Sequence, residues 1–306
     1  MKRLAIAIMA VWLLMPMNLT GQTYQTLWKQ VEEAQQKDLP QTAMTSLDRI
    51  AAKARKESAY GQLLKSTLLR ARLQSEVAPD SLRPAVSRLE DLLKSARGEA
   101  LKAVYATVLS KVYSENVHVL GDDAQQKSRD YRDQALAHPE QLAKVSADSY
   151  VPFVVKENDS ELFGHDLLSI VGQELDAWQW LSRYYQQAGN RRAACLTALR
   201  ATKTLESYDS LIAVYGDLPE AGEVAISRYE LMHGNRFTAA DRYTWLQQSL
   251  ERWGSWKRAD VLRNDLKALL NPMFQVDLQQ RVSVVDKTQT ILLTHLRHVQ
   301  SVQMRL

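Results

Sequence analysis

The stretch LDAWQWLSRYYQQAGNRRAACLTALRATKTLES, residues 175–207, decides how the rest of the chain is read. Leu175, Trp178, Leu181, Tyr185 and Ala188 stand three or four residues apart, which lines one face of a helix. Gly189-Asn190 breaks that pattern. Ala194, Ala198, Ala201 and Leu205 then repeat the spacing, small residues against which an aromatic face packs closely. The stretch predicts a helical hairpin.

Outward from it, Leu246, Leu250 and Trp253, answered by Leu262, Leu266 and Leu269, repeat the register at an offset of 68 residues. That is twice a period of roughly 34 residues, the length of a tetratricopeptide unit. Trp178, Leu181, Tyr185, Ala194 and Ala201 fall on that template, with Ser182 and Ala198 where Gly and Phe are usual. Between the two hairpins the pattern continues less regularly and breaks at Asp217-Leu218-Pro219. Upstream, Leu27, Val31 and Ala34 face Ala43, Leu47, Ile50 and Ala54 across a turn at Asp38-Leu39-Pro40, with Asp38 read as the cap. A third helix, Tyr60 to Leu73, carries Leu64, Leu68 and Ala71, and Ala78-Pro79-Asp80-Ser81 ends it. Val86, Leu89, Leu92 and Leu93 stripe a fourth, and Leu101, Val104, Tyr105, Val108, Leu109, Val112 and Tyr113 a fifth, apolar over so wide an arc that it is placed centrally. Two short helices around Pro139 and an extended run at residues 150–155 follow.

At Asn271-Pro272 the period drops to two. Phe274, Val276 and Leu278 alternate, as do Val282 and Val284; after the polar turn Asp286-Lys287-Thr288 come Ile291 and Leu293, then Val302, Met304 and Leu306. A complete sandwich takes about 100 residues, so these read as its opening strands. The expected fold is mainly α: a tetratricopeptide-like solenoid over residues 22–271 and the start of an incomplete β-sandwich over 272–306, read as the front of a longer protein.

Composition agrees with a helical chain. There are 11 Gly and 8 Pro in 306 residues, and 45% of residues are hydrophobic, enough for a large core. Residues 1–21 read as a secretory signal: Met1-Lys2-Arg3 as the basic head, 4–15 as the apolar core and Leu19-Thr20-Gly21 as the small-residue end. The apolar run is short for a membrane span, and no cysteine near residue 20 offers a lipid anchor. The expected location is the periplasm or outside the cell. Loss of Lys2 and Arg3 lowers the formal charge from +4 to +2, which argues against nucleic-acid binding. Cys195 is the single cysteine, so no internal disulfide forms, and its place in the second helix predicts a buried thiol.

Catalytic strings are absent: there is no HExxH, CxxC, P-loop, GxSxG or GxGxxG. His165-Asp166 reads as a helix start with a hydrogen-bonded imidazole, because adjacent helical residues point about 100° apart. His295 and His298 make a poor metal pair. Lys53-Ala54-Arg55-Lys56 and Arg191-Arg192 read as solvated helix ends. The aromatics Trp178, Trp180, Tyr184, Tyr185, Trp245, Trp253 and Trp256 read as core or as a sugar- or peptide-binding surface, and core packing accounts directly for Trp178, Tyr185 and Trp253. Trp180 and Tyr184 lie off the main stripe and are the candidates for a ligand or partner surface. No catalytic, cofactor or metal residue is expected, and the chain is not read as an enzyme.

Four segments together resemble the amino-terminal region of large bacterial alpha-2-macroglobulins: Leu27-Trp28-Lys29-Gln30-Val31-Glu32-Glu33-Ala34, Tyr60-Gly61-Gln62-Leu63-Leu64-Lys65, Leu101-Lys102-Ala103-Val104-Tyr105 and Phe163-Gly164-His165-Asp166-Leu167-Leu168. The resemblance implies a helical preface to a string of macroglobulin sandwich domains in a protease trap of the cell envelope. Its partners are then the remaining macroglobulin domains and a target protease. In many members of that family a bait segment is cut and a Cys-Gly-Glu-Gln thioester captures the protease. Here Cys195 is followed by Leu196-Thr197-Ala198, so this chain carries no thioester, and no bait segment is placed. The alternative is a free-standing periplasmic helical-repeat adaptor that binds a peptide or glycan.

Overall fold

A computed structural model describes residues 23–77, 82–155, 159–233, 237–278, 291–299 and 301–303. The expected signal segment, the turn at residues 78–81, the polar turn at 286–288, and Val282, Val284, Met304 and Leu306 lie outside the described residues. The protein is mainly helical, with fifteen α-helices and two antiparallel strands among the described residues. No described helix is long and apolar enough to cross a membrane. The residues read as one helical region, 22–271, fall into two compact units.

The first unit holds α1 (Tyr24–Gln36), α2 (Pro40–Glu57), α3 (Tyr60–Val77), α4 (Leu82–Ser95), α5 (Glu99–Glu115), α6 (Val117–Leu120) and α7 (Ala124–Ala135). Leu27, Val31 and Ala34 of α1 bury against Ala43, Leu47 and Ile50 of α2, as the spacing predicts, with Met44 and Leu73 joining them. The cap differs from expectation. Asp38 takes a left-handed conformation (φ 54°) that short polar side chains tolerate, so Leu39 becomes the cap position without a side-chain bond and Pro40 opens α2. Helix α5 is buried round most of its circumference, including Ala103, Tyr105, Ala106 and Leu109. It meets α7 closely enough for Ser110 Oγ to donate to the Ser128 carbonyl (2.9 Å) and Ser128 Oγ to the Ser110 carbonyl (2.8 Å).

The extended run expected at residues 150–155 is instead a turn. A 3-10 helix, Ala147–Tyr150, is followed by a reversal in which the Phe153 and Val154 amides both donate to the Tyr150 carbonyl, at 2.8 and 2.9 Å. The apolar run is short because the chain doubles back there, burying Tyr150 and Val154. A glycine makes this docking possible: a Cβ on Gly61 of α3 would lie 2.3 Å from the Tyr150 carbonyl oxygen.

The second unit holds α8 (Pro139–Leu142), a 3-10 helix at Ser160–Phe163, α9 (Leu167–Glu174), α10 (Trp178–Gln187), α11 (Arg191–Arg200), α12 (Leu205–Tyr215), α13 (Ala221–His233), α14 (Ala239–Trp253) and α15 (Asp260–Leu270). The central hairpin forms as α10 and α11. Gly189 supplies the left-handed turn (φ 79°), and the Asn190 side chain caps α11 by accepting from the Ala193 amide at 3.1 Å. Two residues of the expected stripes belong elsewhere. Leu175 is the C-cap of α9, and Leu205 opens α12 because the Thr204 hydroxyl caps a new helix by accepting from the Ser207 amide. Leu246, Leu262 and Leu269 bury in one cluster with Ile226, Tyr229 and Trp256, so the hairpin predicted 68 residues on is present as α14 and α15.

Strands β1 (Met273–Leu278) and β2 (Ile291–Arg297) pair antiparallel, Val276 opposite Leu293 and Leu278 opposite Ile291, with an irregularity between Met273 and Gln275. Val302, expected in a strand, is exposed and lies in none. His298 falls just past β2 in a left-handed turn (φ 53°), so the histidine pair is not within one strand.

Candidate aromatic surface on the central hairpin

Trp180 and Tyr184 are four residues apart on α10, which stacks side chains on one face. Their rings lie 6.1 Å apart at 14°, and both are half-buried. Tyr184 meets Tyr185 edge-on at 5.6 Å, and Tyr185 meets Phe163 at 5.5 Å. The ladder is tied down at one point. Tyr185 donates its hydroxyl proton to the Asp166 carboxylate, 3.0 and 2.8 Å from its two oxygens, and the same carboxylate caps α9 by accepting from the Ser169 amide at 2.8 Å.

Burial raises the Asp166 carboxyl above its ordinary value, although the bonds from Ser169 and Tyr185 oppose the shift. Burial and the facing Asp166 also raise the Tyr185 phenol, and burial raises the Tyr184 phenol. His165 bonds through Nδ1 to the Ser160 hydroxyl at 3.0 Å. The His165-Asp166 pair is thus a helix start, as the sequence predicts. What α10 offers a ligand is a flat, fixed π surface, suited to the C–H face of a sugar or to an apolar or cationic side chain.

Trp253, Trp256 and Trp245 pack in the buried clusters of the second unit, whereas Trp178, expected in the core, stays half-buried. Trp253 donates its indole proton to the Gly216 carbonyl (3.1 Å), Trp256 to Glu223 (2.9 Å) and Trp245 to the Ala225 carbonyl (3.2 Å). Trp178 is half-buried and donates to Asp176 at 3.3 Å. Cys195 is fully buried, and burial pushes its thiol up to about 12, well outside the range of a reactive cysteine.

Arg191 and Arg192 are solvated, as read, with about half of each side chain exposed, but the helix dipole does not favour them. Arg191 grips Asp217 with two bonds of 2.7 and 2.8 Å, and Arg192 reaches Glu220, whose side chain is fully buried. They stand at the start of α11, where the helix dipole opposes a cation, so these carboxylates hold them. Arg55 lines a cleft together with Arg70 and Arg88, a grouping invisible in sequence because the three lie on different helices. No group of three or more His, Cys, Asp or Glu side chains among the described residues is placed to hold a metal. Comparison of the chain with known protein families, with characterised proteins and with solved structures finds no match.

Proposed function

We propose that this chain is a non-catalytic, exported scaffold: the tetratricopeptide-like amino-terminal part of an alpha-2-macroglobulin-like protease-trapping inhibitor, delivered to the periplasm or beyond by a cleaved signal at residues 1–21. The observation that carries the reading is the β-hairpin at its end. Phe274, Val276, Leu292 and Leu296 are 45–57% exposed, on a pair of strands, the two among the described residues, that is marginal on its own. Val276 pairs with Leu293 and Asp277 with Leu292, so Phe274 and Val276 share one face while Leu292 is on the other; a second sheet packed on the Phe274–Val276 face is what the first macroglobulin sandwich would supply. Paired helices from α10 to α15 support the solenoid part of the reading. Reading the encoding DNA past the Leu306 codon tests it: further alternating segments are expected, and an immediate stop would overturn it.

A second reading, a free-standing adaptor for a peptide or glycan, is favoured by the Trp180–Tyr184 stack alone. Titration with oligosaccharides and peptides, followed by Trp180 fluorescence, distinguishes it; a Trp180→Phe control assigns the signal. Silence across both ligand sets counts against the adaptor.

A further inference from the structure

In the first unit, α2, α3 and α4 enclose a cleft of about 400 Å³ lined by Arg55, Arg70 and Arg88. Two of these guanidinium groups converge on one neutral oxygen. Arg70 Nη1 donates to Gln74 Oε1 at 2.9 Å and Arg88 Nη2 to the same atom at 3.2 Å. Arg70 also holds Asp48 through Nε at 2.6 Å. Among the described residues Arg88 otherwise reaches the Pro84 carbonyl, at 3.3 Å. Neither Arg55 nor Arg88 has a carboxylate in an ion pair among the described residues, and the other acid of the cleft, Asp91, pairs with Lys94 at 3.4 Å. An amide oxygen carries only a partial charge, so the cleft keeps positive charge that a carboxylate would compensate far better. The lining also includes Ala51, Ala85 and Leu89, all buried, Ala71 and Leu92, half-buried, and Thr67, whose hydroxyl has no partner among the described residues.

We infer that this cleft is an oxyanion site that takes the acidic side chains of a peptide segment. Arg forks match a carboxylate in pairs, and the volume accommodates one or two side chains. The shared chemistry is an oxyanion, which free phosphate also offers; Ala71 and Leu92, the half-buried apolar residues of the lining, favour the peptide, whose methylene and aliphatic groups would cover them where a bare ion leaves them wet. The inference concerns the first unit only and stands whether or not the chain fronts a larger inhibitor.

The test uses the full chain and a fluorescein-labelled hexapeptide alternating glutamate and leucine, with its glutamine–leucine counterpart and inorganic phosphate as competitors. The acidic peptide is expected to bind, to weaken between 50 and 200 mM salt, and to lose about tenfold in affinity for each of Arg55→Gln and Arg88→Gln. Both arginines are exposed, so unchanged circular dichroism is expected in the variants. Gln74→Glu places a carboxylate between Arg70 and Arg88 from within the chain. It is expected to raise the melting temperature and abolish binding. Equal binding by the double arginine variant, by Gln74→Glu or by the glutamine peptide, or no binding of either the acidic peptide or phosphate, would overturn the site, and calorimetric binding of phosphate without binding of the peptide would overturn the peptide assignment.

Discussion

The helical hairpin α10–α11 and the β-hairpin β1–β2 belong to one chain and treat their apolar residues in opposite ways. In the first, Leu181, Ala193, Ala194 and Cys195 are fully buried, and Ser182 donates to the Ala194 carbonyl at 3.2 Å across the interface. In the second, Phe274, Val276, Leu292 and Leu296 are about half exposed although the strands pair in register from Gln275 to Leu278. Each periodicity selects its element correctly. Periodicity does not say whether a face is covered, because that depends on what packs against it. The α-hairpin's cover lies in its own unit. The β-hairpin's cover is what the proposed sandwich supplies.

The largest expected effects break the covered side of the comparison. Leu181→Ala empties a filled position and is expected to lower unfolding free energy by about 2–5 kcal/mol, measured by urea denaturation. Gly172→Ala acts on the same contact from α9: an added Cβ would lie 2.6 Å from Leu181, an overpacking that costs about 1–3 kcal/mol. The two are expected to be non-additive, since removing the Leu181 side chain makes room for the new methyl group. Additivity within error would show that α9 and α10 do not meet as described.

A smaller effect separates two capping carboxylates by sign. Buried Asp166 is raised, so the folded state holds its proton more tightly than the unfolded state does. Its contribution is complete below the ordinary value of 3.8 and is lost as pH rises through the raised value. Asp241 of α14 is fully exposed and lowered by bonds from Thr238; its contribution is present above 3.8 and lost as pH falls. Asn retains capping ability at either place. The melting-temperature gap between the unsubstituted chain and Asp166→Asn is therefore expected to shrink from acid to neutral pH, while the gap for Asp241→Asn is expected to widen. Parallel curves would remove the distinction between the two sites.

The two caps also mark how much was legible. Asp166 was read as a helix start because capping is local, a side chain and an amide three residues on, whereas Asn190, which caps α11 in the same way, was read only as a break in the pattern. The boundaries at Leu175 and Leu205 were not, because an apolar residue keeps its helical spacing whether it closes one helix or opens the next. The turn at Tyr150 was missed because a run of Val and Phe carries β propensity that the Tyr150 carbonyl and the Gly61 contact override. Trp180 and Tyr184 were found as off-stripe residues, yet their stacking on each other and the Tyr185–Asp166 anchor beside them needed three dimensions. The Arg55, Arg70 and Arg88 cleft was beyond reach, since one residue reads as a helix end and the other two as ordinary surface charge.

The smallest expected effect sharpens the exposed side. If the β-hairpin's apolar residues have no cover in this chain, replacing one with a polar residue removes almost no burial. Phe274→Ser is then expected to change stability by less than about 0.5 kcal/mol, against the several lost at Leu181. It is expected to improve solubility at the same time, because an exposed aromatic on a two-stranded unit invites association between copies. The same substitution made in a chain extended past Leu306 is expected to cost about 3 kcal/mol or more, the toll of emptying a buried aromatic position. A large loss in the 306-residue chain would mean that Phe274 is already covered there, and the contrast between the two hairpins would fail with it.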